Sequence, residues 1–338
     1  MDMRLREYII ETNDETEKYL VEIIKESKKN LLKTFIEYCL HLKYDFDRTL
    51  FSRLFFEAFN QRKKDWKNYI GILCCFDIID FSVLVIDDII DNTSRRLGRK
   101  SPFKVWELGE VLATSMLLKS MATELVISTG NSLKVPPKTL IKIIRSIEDA
   151  HKAIYIGQFL DKEYENKKIN EISIDEYLEM IRLTTGEHIG HSAEVGAILA
   201  GASSHGCILS RNIGCNIGVI MQIRDDFIDY IDKEEITGKP AFRDLLALKK
   251  RLPLLLMSKY HKDGVKQILR KKKIGKWEKR KVWDMVTDKR IINETKKIVR
   301  GISNKINEKI DKLPNAETRD YLRELMEIIC ALNVSAKK

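Results

Sequence analysis

Residues 70–91 read IGILCCFDIIDFSVLVIDDIID, the most apolar stretch of the chain. Asp77, Asp80, Asp87 and Asp88 interrupt it, and no run of 18 apolar residues occurs in the sequence, so it predicts a buried helix and not a membrane span. Residues four apart on a helix share a face, so Asp87 and Asp91 project together. About 140 residues later Asp225-Asp226-Phe227-Ile228-Asp229 repeats the DDxxD form in an equally apolar setting. One such cluster reads as a solvated acidic face; two, each flanked by apolar residues, do not.

Working outward, apolar residues recur every three or four positions, as in Tyr19, Ile23, Ile24 and Leu31, Leu32, Phe35, Ile36. Only 16 Gly and 6 Pro occur in 338 residues, too few for the turns of a sandwich, barrel or alternating α/β protein. Breaks fall at 43–47, 92–102, 130–137, 166–173, 233–243 and near 274–275. Ser173-Ile174-Asp175-Glu176 has the form of a helix start. Between the breaks lie roughly ten helices of about 12 to 25 residues. With no linker or repeat, the expectation is an all-α protein, one large helical bundle spanning 1–338.

The N-terminus, MDMRLREYIIETNDE, lacks the apolar core and cleavage site of a signal peptide. Cys39, Cys74, Cys75, Cys207, Cys215 and Cys330 form no CxxC pair, and read as buried free thiols in a reducing compartment. A cytoplasmic location is expected. The net charge of +10 invites an anionic partner, and Arg270-Lys271-Lys272-Lys273 through Lys281 is its densest part. Glu278, Asp284 and Asp288 interleave that run, so it reads as a solvated helix face and no nucleic acid is expected. Glu187-His188-Ile189-Gly190-His191 spells HIGH without the preceding strand that a nucleotidyl-transfer site requires, and offers no third metal ligand. It reads as polar residues lining a helix.

Carboxylates inside apolar helices are costly unless a cation neutralises them. Mg²⁺ suits them: it is hard, takes oxygen ligands and bridges carboxylates to substrate phosphates. Arg95, Arg96 and Arg99 follow the first cluster; Arg224 precedes the second, and Lys239 and Lys249 follow it. Metal and cations together stabilise a departing diphosphate. The implied reaction ionises a carbon–oxygen bond, leaving an allylic cation that an apolar helical cavity shields from water.

From about Arg53 to Pro253, with a weaker echo at Leu313-Pro314, the sequence resembles the trans-prenyl diphosphate synthases. The resemblance is carried by IDDIID with Gly98-Arg99, Gly157-Gln158-Phe159-Leu160-Asp161, Gln222-Ile223-Arg224 before the second cluster, Gly238-Lys239-Pro240, Asp244-Leu245, and Lys249 with Leu252-Pro253. It implies the all-helical isoprenoid synthase fold around a central apolar cavity, and a homodimer. It also implies about three Mg²⁺ ions on Asp87, Asp91 and Asp225, with Asp88, Asp226 and Asp229 sharing or supporting them. Arg96, Lys239 and Lys249 would hold the allylic diphosphate, and Gln222 would lie beside the cation. Phe81, Ser82, Val83 and Phe159 would bound the prenyl chain, of farnesyl to geranylgeranyl size.

The departures from the family gather at one substrate. The family has Lys, His and Arg where this chain has Leu50, Asp80 and Leu97. With the Arg matched by Arg53, those groups cradle isopentenyl diphosphate. The Lys of the mid-chain Lys-Thr pair is Thr184, ahead of Thr185. Each lost charge-assisted phosphate contact costs about 1.5–3 kcal/mol. The sequence therefore favours an enzyme that ionises an allylic diphosphate alone, a terpene synthase derived from this family. The alternative is a chain-elongating prenyltransferase whose second site is rebuilt around Arg53, Arg95, Lys63 and Lys64. A further alternative is a non-catalytic subunit of a prenyl synthase.

Overall fold

The computed structural model describes residues 2–26, 36–40, 47–96, 99–231, 243–271 and 275–331. The expected all-helical architecture is present. The first half comprises α1 (Met3–Glu26), α2 (Asp47–Phe59), α3 (Cys75–Ile90), α4 (Leu108–Ser132) and α5 (Pro137–Glu165). Then come α6 (Ile174–Ile181), α7 (Glu187–Ala200) and α8 (Ser204–Ile231). The C-terminal part is cut finer, into α9 (Arg243–Leu246), α10 (Leu252–Tyr260), α11 (Lys262–Leu269), α12 (Lys276–Val286), α13 (Lys289–Ile310) and α14 (Ala316–Cys330).

Local chemistry sets the boundaries. Ser173 caps α6: its hydroxyl accepts the Glu176 N–H at 3.1 Å, and the Glu176 carboxylate accepts the Ser173 N–H at 2.8 Å, satisfying two otherwise orphaned donors. Pro137 opens α5, where a missing N–H costs nothing. The break expected over 92–102 holds a two-residue hairpin, with Arg95 opposite Lys100 and Arg96 opposite Arg99. Between α6 and α7 the chain runs as a π-helical turn over Arg182–Gly186.

Two apolar clusters form the core. One surrounds α8 and the C-terminal helices; the other packs α3 against α4 and α5. Helix α2 contributes to both. It lies against α7, where a Cβ on Gly196 would stand 2.0 Å from the Ser52 carbonyl oxygen; only glycine permits that approach.

Trp66–Ile90 and Leu108–Ser132 are long and apolar enough to cross a membrane by length and composition alone. Within the most apolar window, 83% of the first is buried in the fold but only 33% of the second. The first is a core helix. The second keeps Leu108, Leu112 and Met116 exposed along one stripe of α4.

Candidate active site and metal centre

Helix α3 ends beside its acidic motif: Ile90 is its last residue and Asp91 caps it, the Asp91 N–H bonding the Asp87 carbonyl at 2.9 Å. Gln158 Nε2 of α5 donates to Asp87 Oδ1 at 2.9 Å. The Asp91 carboxylate is only 5% exposed, and burial together with the neighbouring Asp87 raises its pKa. Asp88 faces elsewhere and is fully buried. Burial, with Asp80 and Asp88 nearby, pushes the Cys39 thiol far above its usual range.

Helix α5 brings the next acids. Asp161 and Glu165 stand one turn apart, and ligand oxygens of Asp91, Asp161 and Glu165 all lie within 4.8 Å of one another. Lys249 Nζ sits between two of them, 2.5 Å from Asp91 Oδ2 and 3.1 Å from Asp161 Oδ2. Burial lowers the Lys249 pKa and so does Arg251, but Asp161, Asp91 and Asp87 outweigh both and the ammonium stays charged. Asp91 Oδ1 has no hydrogen-bond partner among the described residues; Lys162 Nζ is 3.9 Å away.

The second motif lies on α8. Asp225 is exposed, Asp229 half-buried and Asp226 buried. Asp226 accepts the Tyr177 hydroxyl at 2.7 Å and the Gln222 amide at 2.8 Å. Gln222 Oε1 in turn accepts the Thr185 hydroxyl at 2.7 Å, so the π turn fixes Gln222. Single π turns recur at functional sites because they re-aim side chains within a helix. Gly218 of α8 makes room for the turn: a Cβ there would meet Gly186 Cα at 2.9 Å. Burial lifts Asp226 to about 7 against the pull of Arg251.

Arg251 closes the gap between the motifs. Its Nη1 and Nη2 hold Asp161 Oδ1 and Oδ2, each at 3.0 Å, and its Nε lies 3.4 Å from Asp244 Oδ2 and 3.9 Å from Asp226 Oδ1. A continuous chain of charge therefore runs Asp91, Lys249, Asp161, Arg251, Asp226. Asp161 stood within the quoted mid-chain motif and Arg251 beside Lys249, yet neither Arg251, Glu165 nor Tyr177 was marked by spacing. A separate cavity of about 330 Å³ beside the π turn is lined by Arg182, Glu187, Arg211 and Cys215; no motif aspartate lines it.

The other residues singled out by the sequence take different places in the fold. Arg53 is buried away from this cluster, its guanidinium stacked between Tyr8 (3.8 Å) and Trp66 (4.1 Å). Its donors go to Glu57, Thr12 and Glu11 at 3.0, 2.9 and 2.7 Å, so it pins α1 to α2. Leu50 belongs to the apolar core. Asp80 is no bare anion: Arg48 Nη2 lies 2.9 Å from Asp80 Oδ1 and His188 Nδ1 3.2 Å from it, so its repulsion of a phosphate is largely cancelled. Of the chain-length residues, Phe81 is core and Ser82 bonds the Ser115 hydroxyl of α4 at 2.8 Å. Val83 is half-buried, and Phe159 is 70% exposed. His188 and His191 are fully buried, His191 bonded to Ser146 and Glu194 at 2.8 and 2.9 Å. Lys239 and Leu97, and the side chain of Arg96, lie outside the described residues.

The donor set fits a hard, oxygen-seeking divalent cation. Carboxylates of Asp91, Asp161 and Glu165 converge, Asp87 is near enough to raise the Asp91 pKa, and the buried Asp91 Oδ1, without a hydrogen bond, is an acceptor that calls for a cation. The Polyprenyl synthetase family model matches residues 29–286. Over 195 residues the chain is 29% identical to the geranylgeranyl diphosphate synthase of Sulfolobus acidocaldarius, a match covering 58% of each protein. Over 171 residues it is 30% identical to the (2E,6E)-farnesyl diphosphate synthase of Mycobacterium tuberculosis, covering 51% of this chain and 45% of that one. The chain thus spans about half the length of these relatives. The geranylgeranyl pyrophosphate synthetase structure from Pyrococcus horikoshii superposes with a TM-score of 0.83 at 24% identity, covering 97% of this chain and 99% of that one. The polyprenyl synthase of Caulobacter crescentus, solved with calcium and isoprenyl diphosphate, gives 0.82 at 20% identity, covering 96% and 97%. These superpositions establish the shared fold.

Proposed function

This chain belongs to the polyprenyl synthetase family, and we propose that it is a Mg²⁺-dependent trans-prenyltransferase that lengthens an allylic prenyl diphosphate with isopentenyl diphosphate. The observation that carries the reading is the Asp91–Lys249–Asp161–Arg251–Asp226 chain, which gathers both aspartate motifs onto one site. The relatives bear the names of prenyl diphosphate synthases, which favours elongation over the terpene synthase reading. The Arg48–Asp80 pair favours it too, because it removes much of the repulsion that made a second diphosphate unwelcome. A non-catalytic subunit would have no use for a buried carboxylate oxygen that makes no hydrogen bond.

Asp87, Asp91 and Asp225 would hold the metal, with Asp161 and Glu165 beside them. Mg²⁺, when bound, would neutralise the diphosphate leaving group. Lys249, with Arg96 and Lys239, would hold diphosphate oxygens as the allylic carbon–oxygen bond breaks. The double bond of isopentenyl diphosphate then attacks the cation, and loss of a proton restores a neutral chain. Gln222, locked by Thr185 and Asp226, would present its amide beside the cation. The free cysteines suit a reducing compartment such as the cytoplasm, and the apolar stripe on α4 suits a second copy of the chain.

The test is incubation with Mg²⁺ and geranyl, farnesyl or geranylgeranyl diphosphate, each with and without isopentenyl diphosphate. A longer prenyl diphosphate formed only when isopentenyl diphosphate is present is the expected result. A hydrocarbon or alcohol formed without it would restore the terpene synthase reading, and no turnover in any mixture would favour the subunit.

A further inference from the structure

Lys249 occupies an oxygen that a metal on Asp91 would need. Its ammonium is 2.5 Å from Asp91 Oδ2 and 3.1 Å from Asp161 Oδ2, in a side chain only 3% exposed. The backbone beneath it is fixed: the Lys249 N–H donates to the Asp244 carbonyl at 2.9 Å, and the Lys249 carbonyl accepts the Arg251 N–H at 2.8 Å. Leu248 just before it holds a φ of +57°, a left-handed conformation that a branched side chain rarely adopts. Only the four-carbon stem is free to move. Asp161 is gripped separately by Arg251, so departure of the ammonium leaves that carboxylate paired while Asp91 loses its closest cation.

We propose that Lys249 competes with the divalent cation for Asp91, and thereby couples metal loading to diphosphate binding. This goes beyond a simple diphosphate contact, and rests on the reading that Asp91 holds the metal. A dication on Asp91 repels an ammonium a few ångströms away. The ammonium must then leave Asp91, and the new anion it can reach, besides the Asp161 carboxylate it already touches, is a diphosphate on that same metal. Metal alone is therefore opposed by a like charge left with only Asp161, a carboxylate that Arg251 already holds. Metal with diphosphate gives both cations a partner. Each ligand then raises the affinity of the other by the same factor.

The experiment uses Mn²⁺ as the probe, its binding followed by electron paramagnetic resonance with and without inorganic diphosphate. Lys249→Gln is compared with the native chain, Lys249→Arg and Asp91→Asn. With no diphosphate, Lys249→Gln should bind Mn²⁺ roughly tenfold more tightly than native, the scale of one charge-assisted hydrogen bond. Lys249→Arg should stay near native, and the gain conferred by diphosphate should shrink in Lys249→Gln. Mn²⁺ affinity equal to or weaker than native in Lys249→Gln overturns the proposal. Lys249→Met, which fills the same space without charge, carries the same expectation should the glutamine variant not fold. Native affinity in Asp91→Asn would instead remove the metal from Asp91, and the proposal with it. Failure of chain elongation alongside the expected Mn²⁺ pattern would strike only the reaction assigned above.

Discussion

Arg251 holds both carboxylate oxygens of Asp161 at 3.0 Å, a two-pronged pair between residues ninety positions apart in sequence. The guanidinium is 11% exposed and the carboxylate 4%. The same guanidinium faces Asp244 and Asp226, so its removal takes one cation from three buried acids. Breaking a buried pair by deleting one partner costs about 3–5 kcal/mol. Arg251→Met should lose stability on that scale in urea unfolding. Arg251→Lys should recover only part of it, since an ammonium cannot make the forked contact. Full recovery by lysine would mean that charge alone, and not the fork, organises the site.

Asp87 is half-buried and Asp225 exposed, so neither supports the core. Asp87→Asn and Asp225→Asn should therefore keep melting temperatures within a few degrees of native. Metal-dependent diphosphate release should fall roughly 10²–10³-fold in each, the scale for removing one transition-state charge stabiliser. Retained turnover in either variant would take that carboxylate out of the metal site.

Much of this site could be read from spacing. Asp87 with Asp91, and Asp225 with Asp229, stand at i and i+4 inside apolar sequence, so the paired carboxylates were visible before any fold was known. The helical class followed from scarce glycine and proline. Partnerships across the chain were not visible. Lys249 and Asp91 meet across 158 positions, and nothing local marks Arg251 as the residue that joins the motifs. Arg53 and Arg48 show the same gap in reverse. Both are arginines of α2, but tertiary packing gives Arg53 to Tyr8, Glu11 and Trp66 and gives Arg48 to Asp80. Read as a lone acid, Asp80 seemed to repel a phosphate; only the fold supplies its counter-charge.

Asp77 should impose a pH dependence on stability. It is fully buried and accepts the Thr49 N–H at 2.7 Å and the Thr49 hydroxyl at 2.5 Å, which anchors the start of α2. Burial raises its pKa from 3.8 to about 7 despite those bonds. A carboxyl whose pKa rises on folding binds more protons in the native than in the unfolded state between those values. Stability therefore falls as pH rises from about 4 to about 7, by up to about 1.4 kcal/mol per pH unit, and is flat with respect to this group above that. Asp77→Asn, which resembles the protonated acid, should lack this slope. Parallel pH profiles for the two proteins in thermal unfolding would show that Asp77 is ionised throughout.

Asp80 lies seven residues before Asp87, two turns back on α3 and roughly 10 Å along its axis. Its pairing with Arg48 neutralises a cation that could otherwise serve a second diphosphate. Asp80→Asn should remove one of the two carboxylates facing Arg48, Asp77 being the other, and lower the KM for isopentenyl diphosphate by up to roughly tenfold, the worth of one new charge-assisted hydrogen bond to phosphate. The KM for the allylic substrate should stay as it was. Equal movement of both constants, or of neither, would place the second substrate away from Arg48.

The outer face of α4 makes a prediction about assembly. Leu108, Leu112 and Met116 follow one another at four-residue intervals and are 51%, 40% and 67% exposed. Ile156 and Phe159 of α5 are exposed as well, at 56% and 70%. An isolated apolar side chain on a surface is ordinary, whereas a stripe at helical spacing is the kind of surface that a second copy of the chain would cover. A two-fold contact uses the same patch twice, so one substitution alters it on both subunits. In the proposed homodimer, Met116→Glu should therefore give a monomer in light scattering at micromolar concentration. The far-ultraviolet spectrum should be unchanged, because Met116 contributes little to the core of its own subunit. A native chain that is monomeric at those concentrations would leave the stripe to some other partner.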